Sequence, residues 1–226
     1  MCYSVESSAK TSLLAFISIA VLFSSNVPHF KWIALMMTGW CSMQVAELLL
    51  WLTNPRKSCT NVNKVITLTL IPLIVVSQPI LPILGSFFVK PWSKCSKNRQ
   101  MLIVGYSIIV SVIFLYYFFN KPTKYCTIVT KQGHLQWFLK NSENLGLEMP
   151  YGYYIWALAV IIPAFLLWNI SYKALFVVFI LPIFGFIYGL TTDAKDSIWC
   201  YYSSFSAIAM LIVYGLYKFK IYNILK

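Results

Sequence analysis

Between residues 31 and 51 the chain reads KWIALMMTGWCSMQVAELLLW, an apolar run with one acid near its end. At about twenty residues, a helix of this length crosses the hydrocarbon of a bilayer. Trp40, Gln44, Glu47 and Trp51 recur at helical spacing and share one stripe. No lysine or arginine lies within several residues of Glu47 along the chain. A carboxylate in hydrocarbon costs about 2.5–3.5 kcal/mol on insertion scales, so the stripe is expected to face protein or water. The remaining spans then form a bundle around it.

Further apolar runs lie at about 9–25, 65–89, 101–119, 153–170, 174–190 and 198–217, which with 31–52 makes seven. They are continuous and do not alternate with period two, which excludes barrel strands. Helices are the other way to satisfy backbone groups in lipid. The expected fold class is therefore an all-α integral membrane protein: one seven-helix domain over 1–226, with a long loop at 120–150. The totals agree: 59% of residues are hydrophobic and 11% charged, with mean hydropathy +0.72, whereas globular chains carry about 25% charge. The net charge of +12 comes from lysines and arginines scattered beside apolar runs. That is the pattern of interface anchors, and nucleic acid is not expected as a partner. The expected partners are a lipid bilayer and a small solute.

The first run could pass for a cleaved leader, with Lys10, an apolar core to Phe23, then Ser24 and Ser25. Glu6 argues against a basic leader, so the run is counted as a span. Asn54-Pro55 is a stop signal for the second span. Pro72, Pro79 and Pro82 in the third should free the carbonyls of Leu68, Val75 and Gln78. Gln78 lies near the middle of that span. Gly185 and Gly189 in the sixth have the spacing of a close helix contact. In the long loop, residues 135–139 (LQWFL) read as a short helix lying in the interface.

Lysine and arginine divide evenly between the two sides that seven spans define. Lys90, Lys94, Lys97 and Arg99, with Lys218, Lys220 and Lys226, are packed into a short loop and tail, which the positive-inside rule weights most. Glu6, Glu143, Glu148, Asp193 and Asp196 all fall opposite, on the N-terminal side. So do Cys2, Cys59, Cys126 and Cys200, while Cys95 lies with the basic loops and Cys41 within a span. This clustering places the N-terminus outside or in a lumen, where cysteines pair. Cys59–Cys126 is the first expected disulfide and Cys2–Cys200 the second, although four cysteines allow three connectivities.

On this topology Glu47 lies about 7–8 Å below the outer end of its span, beneath the cysteine-bearing loops and His134. The expected ligand- or proton-binding set is Glu47, Gln44, Gln78, His134, Trp137 and Trp199. Its bland counterpart is a neutral carboxyl hydrogen-bonded to a neighbouring helix. No cysteine or histidine pair has the tight spacing of a zinc motif, and there is neither a Gly-rich phosphate loop nor HExxH. No metal or other cofactor is therefore expected. The last span carries no lysine within it for a retinal Schiff base. The glycosylation pattern Asn169-Ile170-Ser171 lies too near the membrane and on the inner side.

Several short stretches carry a resemblance. They are Met1-Cys2-Tyr3-Ser4, Glu47 in the second span, Gln78-Pro79 in the third, His134-Leu135-Gln136-Trp137 in the loop and Ile198-Trp199-Cys200 opening the last span. Together they resemble a family of multi-pass membrane proteins of large DNA viruses and some bacteria, filed as a domain of unknown function. The resemblance supplies no activity. It implies that Cys2 is retained, that the membrane is a host or viral one, and that Cys2, Glu47, Gln78, His134, Trp137, Trp199 and Cys200 belong to one outer-side set.

The function expected is binding or transport of a small or proton-coupled solute through an outward-facing polar pocket around Glu47. A second expectation is a membrane-embedded metal or redox enzyme using Cys126, His134 and Glu47. A third is a structural or interaction protein with no small-molecule site.

Overall fold

A computed structural model describes residues 4–89, 96–119, 126–139, 152–167, 172–192 and 195–221. Of the described residues, 81% are helical. Helix α1 (Val5–Phe23) starts where the Ser4 side chain accepts the Ser7 N–H at 3.2 Å, satisfying one of the first turn's orphan donors. Helix α2 (Pro28–Leu52) opens on proline, whose missing N–H costs nothing there. It ends as its sequence predicts: Asn54 takes a left-handed conformation (φ 56°), its N–H bonds the Trp51 carbonyl at 3.1 Å, and Pro55 follows.

The third apolar run is a composite. Helix α3 (Asn61–Val65) is capped by Thr60, passes through a π-helical stretch (Ile66–Leu70) and continues as α4 (Ile71–Val89). Pro72 has no N–H to return to Leu68, and the turn before it widens so that the Ile71 N–H bonds the Ile66 carbonyl. Pro79 frees the carbonyl of Val75, and the Trp156 indole N–H donates to it at 3.4 Å. Trp32 donates to the Pro82 carbonyl at 2.8 Å and ties α2 to α4. The remaining helices are α5 (Lys97–Phe119), α6 (Gly152–Leu167), α7 (Tyr172–Gly189) and α8 (Lys195–Lys218).

Helix α2 is central: α1, α4 and α8 pack against it, α7 pairs with α8, and α6 rests on α4 and α5. Close approach fixes the α2–α4 register. A Cβ on Gly39 would lie 3.3 Å from Gln78 Cα, and one on Gly85 would lie 3.1–3.3 Å from Leu35 and Trp32. The α2–α8 register is set by Phe30 against Tyr214 and by Trp40 against Trp199.

Among the described residues, five helical segments are long and apolar enough to cross a membrane: Val5–Phe23, Pro28–Leu52, Asn61–Phe87, Lys97–Tyr116 and Ser197–Lys218. Helix α6, at 16 residues, and the apolar Phe176–Gly189 part of α7 fall short of that length among the described residues. Leu13, Leu73, Leu102, Ile109, Phe176, Ile187 and Ile212 point outward. Such a surface is compatible with lipid and costly in water.

The LQWFL segment corrects the sequence expectation: it is a strand, not an interfacial helix. Strands β1 (Cys126–Val129) and β2 (Leu135–Leu139) pair antiparallel, with Val129 opposite Leu135 and a register shift near Cys126. Five residues, 130–134, join them, closed by the Thr130 N–H to the His134 carbonyl at 2.8 Å, with Gly133 at φ 83°. Leu135 and Trp137 are buried while Gln136 between them is partly exposed, the period of a strand. The hairpin caps the end of the bundle where α3 and α8 begin.

Candidate functional site

The α2 stripe is entirely interior. Trp40, Gln44 and Glu47 are fully buried, and Trp51 nearly so. Gln44 donates from Nε2 to Glu47 Oε2 at 3.1 Å, a pairing that the i, i+3 spacing allows. Arg56 lies 5.7 Å over the Trp51 ring and closes the stripe at its hairpin-side end.

Helical rise then sets what stands beside Glu47. In the α1–α2 hairpin the first turn of α1, with buried Ser8, comes level with it. Across α2–α4, Gly39 lies beside Gln78, so Gln78 is about 12 Å deeper than Glu47 at 1.5 Å per residue. The end of the π-helical stretch, at Leu70 just before Pro72, comes level with Glu47 instead. Gln78 is fully buried, and neither of its side-chain polar atoms has a hydrogen-bond partner among the described residues.

Trp199 also lies deeper, about 10 Å below Glu47 by the same rise. It meets Trp40 edge-on at 5.6 Å and Trp156 at 4.7 Å. Its other flank borders an apolar cleft of about 250 Å³ between α6, α7 and α8. Glu47 and Gln44 are thus in contact, while Gln78 and Trp199 belong to a deeper layer.

The cap supplies the other expected residues. Cys59 and Cys126 form a disulfide with Cα atoms 5.7 Å apart, the pairing that the one-sided cysteine distribution favours. Cys200 is buried near the start of α8, and its expected partner Cys2 lies outside the described residues. His134 and Trp137 are buried in β2 and the turn before it. Burial holds the His134 imidazole below the ordinary histidine value, because it disfavours the charged form. The His134 backbone N–H is taken by Thr130 Oγ1 at 3.2 Å.

A polar cluster that the sequence reading did not single out fixes this cap. Asn63, Thr67 and Thr127 are buried. Asn63 Nδ2 donates to the Thr127 carbonyl at 3.0 Å, and the Thr127 N–H donates to Asn63 Oδ1 at 2.9 Å. The hydroxyls of Thr67 and Thr127 are 2.8 Å apart, and Asn63 also donates to Thr53 at 3.1 Å. The signal available was local: Thr60 caps α3 three residues before Asn63, and Thr67 follows four later on the same face.

No family model, curated protein or solved structure matches the chain. The site is therefore read from its own chemistry. Cys126 is bonded to Cys59, so in this oxidised form it presents no thiolate to a metal or a substrate. Among the described residues, no three histidines, cysteines or acids gather at one point. What the arrangement offers is an amide and a carboxyl held together inside the bundle, level with a helix break and beneath a bolted hairpin.

Proposed function

We propose that the chain crosses its membrane seven times with the N-terminus outside or lumenal, and binds a small polar solute in the cap-side half of the bundle. Protonation of Glu47 accompanies binding or transport. The observation that carries this reading is a fully buried carboxyl at the level where the third apolar run departs from α-helical geometry. Burying an ionisable group is expensive, and such residues in spans mark ion or substrate pathways. Broken helices in membrane proteins expose backbone groups where a solute can use them. The outer orientation is supported by the disulfide, which forms in oxidising compartments. The same reading sets the chain beside the viral and bacterial multi-pass family that its Met1-Cys2-Tyr3-Ser4 opening resembles, and so in a host or viral membrane.

The test is proton movement into proteoliposomes challenged with a panel of small polar solutes. Glu47→Gln keeps the volume and the contact with Gln44 but cannot titrate. It is expected to abolish solute-dependent proton movement while the protein stays folded and monodisperse. Proton movement equal to wild type in the variant overturns the proposal.

A further inference from the structure

The apolar cleft beside Trp199 lies on the other side of the tryptophan cluster from Glu47, and the reading above does not use it. Its walls are Ala157, Leu158 and Ile161 of α6, Phe179, Pro182, Ile183 and Phe186 of α7, and Trp199 of α8. At about 250 Å³ it is many times the roughly 10–15 Å³ that one water needs by the same measure. Water has no reason to fill it, since a buried water needs two to four polar partners and the lining side chains are apolar apart from one indole.

The surroundings identify the occupant. Leu158 and Ile183, at the rim, are about half exposed, and the outward faces beyond them carry Ile155, Ile180, Phe184 and Ile187. The cleft is thus continuous with the apolar outer surface of the bundle. In a chain of bilayer-length apolar helices, that surface is bathed in acyl chains. Gly185 stands against Tyr202, so the α7 wall from Phe179 to Phe186 runs level with the part of α8 beyond Trp199, and the Trp199 ring closes the hairpin-side end of the cleft.

The geometry points to a phospholipid site: one acyl chain from the surrounding bilayer enters between α6 and α7 and ends against the Trp199 ring. Each buried methylene contributes about 0.8 kcal/mol against water, but in a bilayer the chain merely exchanges neighbours. Selectivity therefore comes from shape, through Pro182 and Ala157, which leave room where larger side chains would close the gap. Trp199 touches Trp40, on the stripe that carries Gln44 and Glu47, so the lipid-filled wall backs directly onto the interior stripe.

The full chain, reconstituted in phosphatidylcholine vesicles with dibrominated acyl chains, tests this by tryptophan quenching. Wild type is expected to show a quenched component that Trp199→Phe removes. Ile183→Phe, at the exposed rim where folding tolerates it, and Ala157→Phe, at the wall, are expected to abolish the same component with Trp199 in place. Native mass spectrometry after delipidation is expected to retain one phospholipid on wild type and none on either filling variant. Quenching and retention unchanged by Ile183→Phe overturn the site, and so does equal quenching of wild type and Trp199→Phe.

Discussion

The side-chain amide of Asn63 bonds both backbone groups of Thr127, at 3.0 Å to the carbonyl and 2.9 Å from the N–H. The two residues are 64 apart in sequence, and the pairing imitates one rung of a β-ladder between a helix start and a strand. It sits next to the Cys59–Cys126 disulfide, so a covalent and a hydrogen-bonded tie act on the same end of β1.

Replacing Asn63 by alanine leaves the Thr127 carbonyl unmatched in a buried setting, while the Thr127 N–H keeps Thr67 Oγ1 at 3.2 Å. A buried group left unsatisfied costs about 1–3 kcal/mol. Asn63→Ala is therefore expected to destabilise the hairpin by about 2 kcal/mol, read as faster amide exchange in β1 and β2. Thr127→Ala keeps both backbone bonds and is expected to cost less. Equal exchange in the two variants would show that the amide is not the fastening.

Thiol labelling reads the disulfide directly. A membrane-impermeant maleimide added on the N-terminal side is expected to modify Cys59 and Cys126 only after reduction, and Cys41, buried within α2, in neither state. A loop of this span is worth about 4 kcal/mol on a chain-entropy estimate. Helices α3 to α5 lie within it and already restrain the chain, so the loss on reduction should be smaller. Labelling of Cys59 without reductant, or from the opposite side alone, would contradict the pairing or the orientation.

How far the sequence carries depends on how local each cause is. The carbonyl at Val75 is exposed as a problem by Pro79 alone, and the structure answers it with Trp156. The end of α2 is likewise written in Asn54-Pro55, and the burial of Glu47 in the cost of its charge. The one-sided cysteines made Cys59–Cys126 an expected pair, since pairing needs both in one compartment, but left three connectivities open. By contrast, Asn63 and Thr127 meet through tertiary docking, which no spacing encodes. The strand at Leu135–Leu139 was legible but misread: the buried alternation of Leu135 and Trp137 follows a Gly133 turn, while apolar content alone suggested a helix. Gln78 was expected near the middle of its span and in one set with Glu47; the Gly39 contact sets it about 12 Å deeper than Glu47.

His134 gives the cap a pH dependence. Burial lowers its folded-state value, so below the ordinary histidine value of about 6.5 the unfolded hairpin binds a proton that the folded one resists. Cap stability is then full above about pH 6.5 and falls as the solution is acidified through that value. The rate at which a phosphine reductant opens Cys59–Cys126, normalised to a model disulfide, should rise on acidification in wild type. In His134→Gln the rise should vanish. A rise that persists in the variant assigns it to another group.

The glycines grade the tightness of the helix contacts. A Cβ on Gly185 would stand 2.7 Å from Tyr202 Cβ, a distance real atoms do not adopt, so α7 and α8 must separate to admit it. Overpacking of this kind costs about 1–3 kcal/mol. On Gly39 the nearest atom is the end of Leu81 at 3.1 Å, which can turn aside, although Gln78 Cα at 3.3 Å cannot. Gly105 has nothing within 4 Å, and alanine there recovers about 0.5–1 kcal/mol of helix propensity. Thermal unfolding in detergent should therefore rank Gly185→Ala lowest, Gly39→Ala next, wild type above both and Gly105→Ala highest. Because α7 packs chiefly on α8, the Gly185→Ala loss should also appear as protease sensitivity of α7 before the rest of the bundle. A Gly185→Ala protein as stable as wild type would mean that α7 does not lie against Tyr202, and the wall of the lipid cleft would have to be redrawn with it.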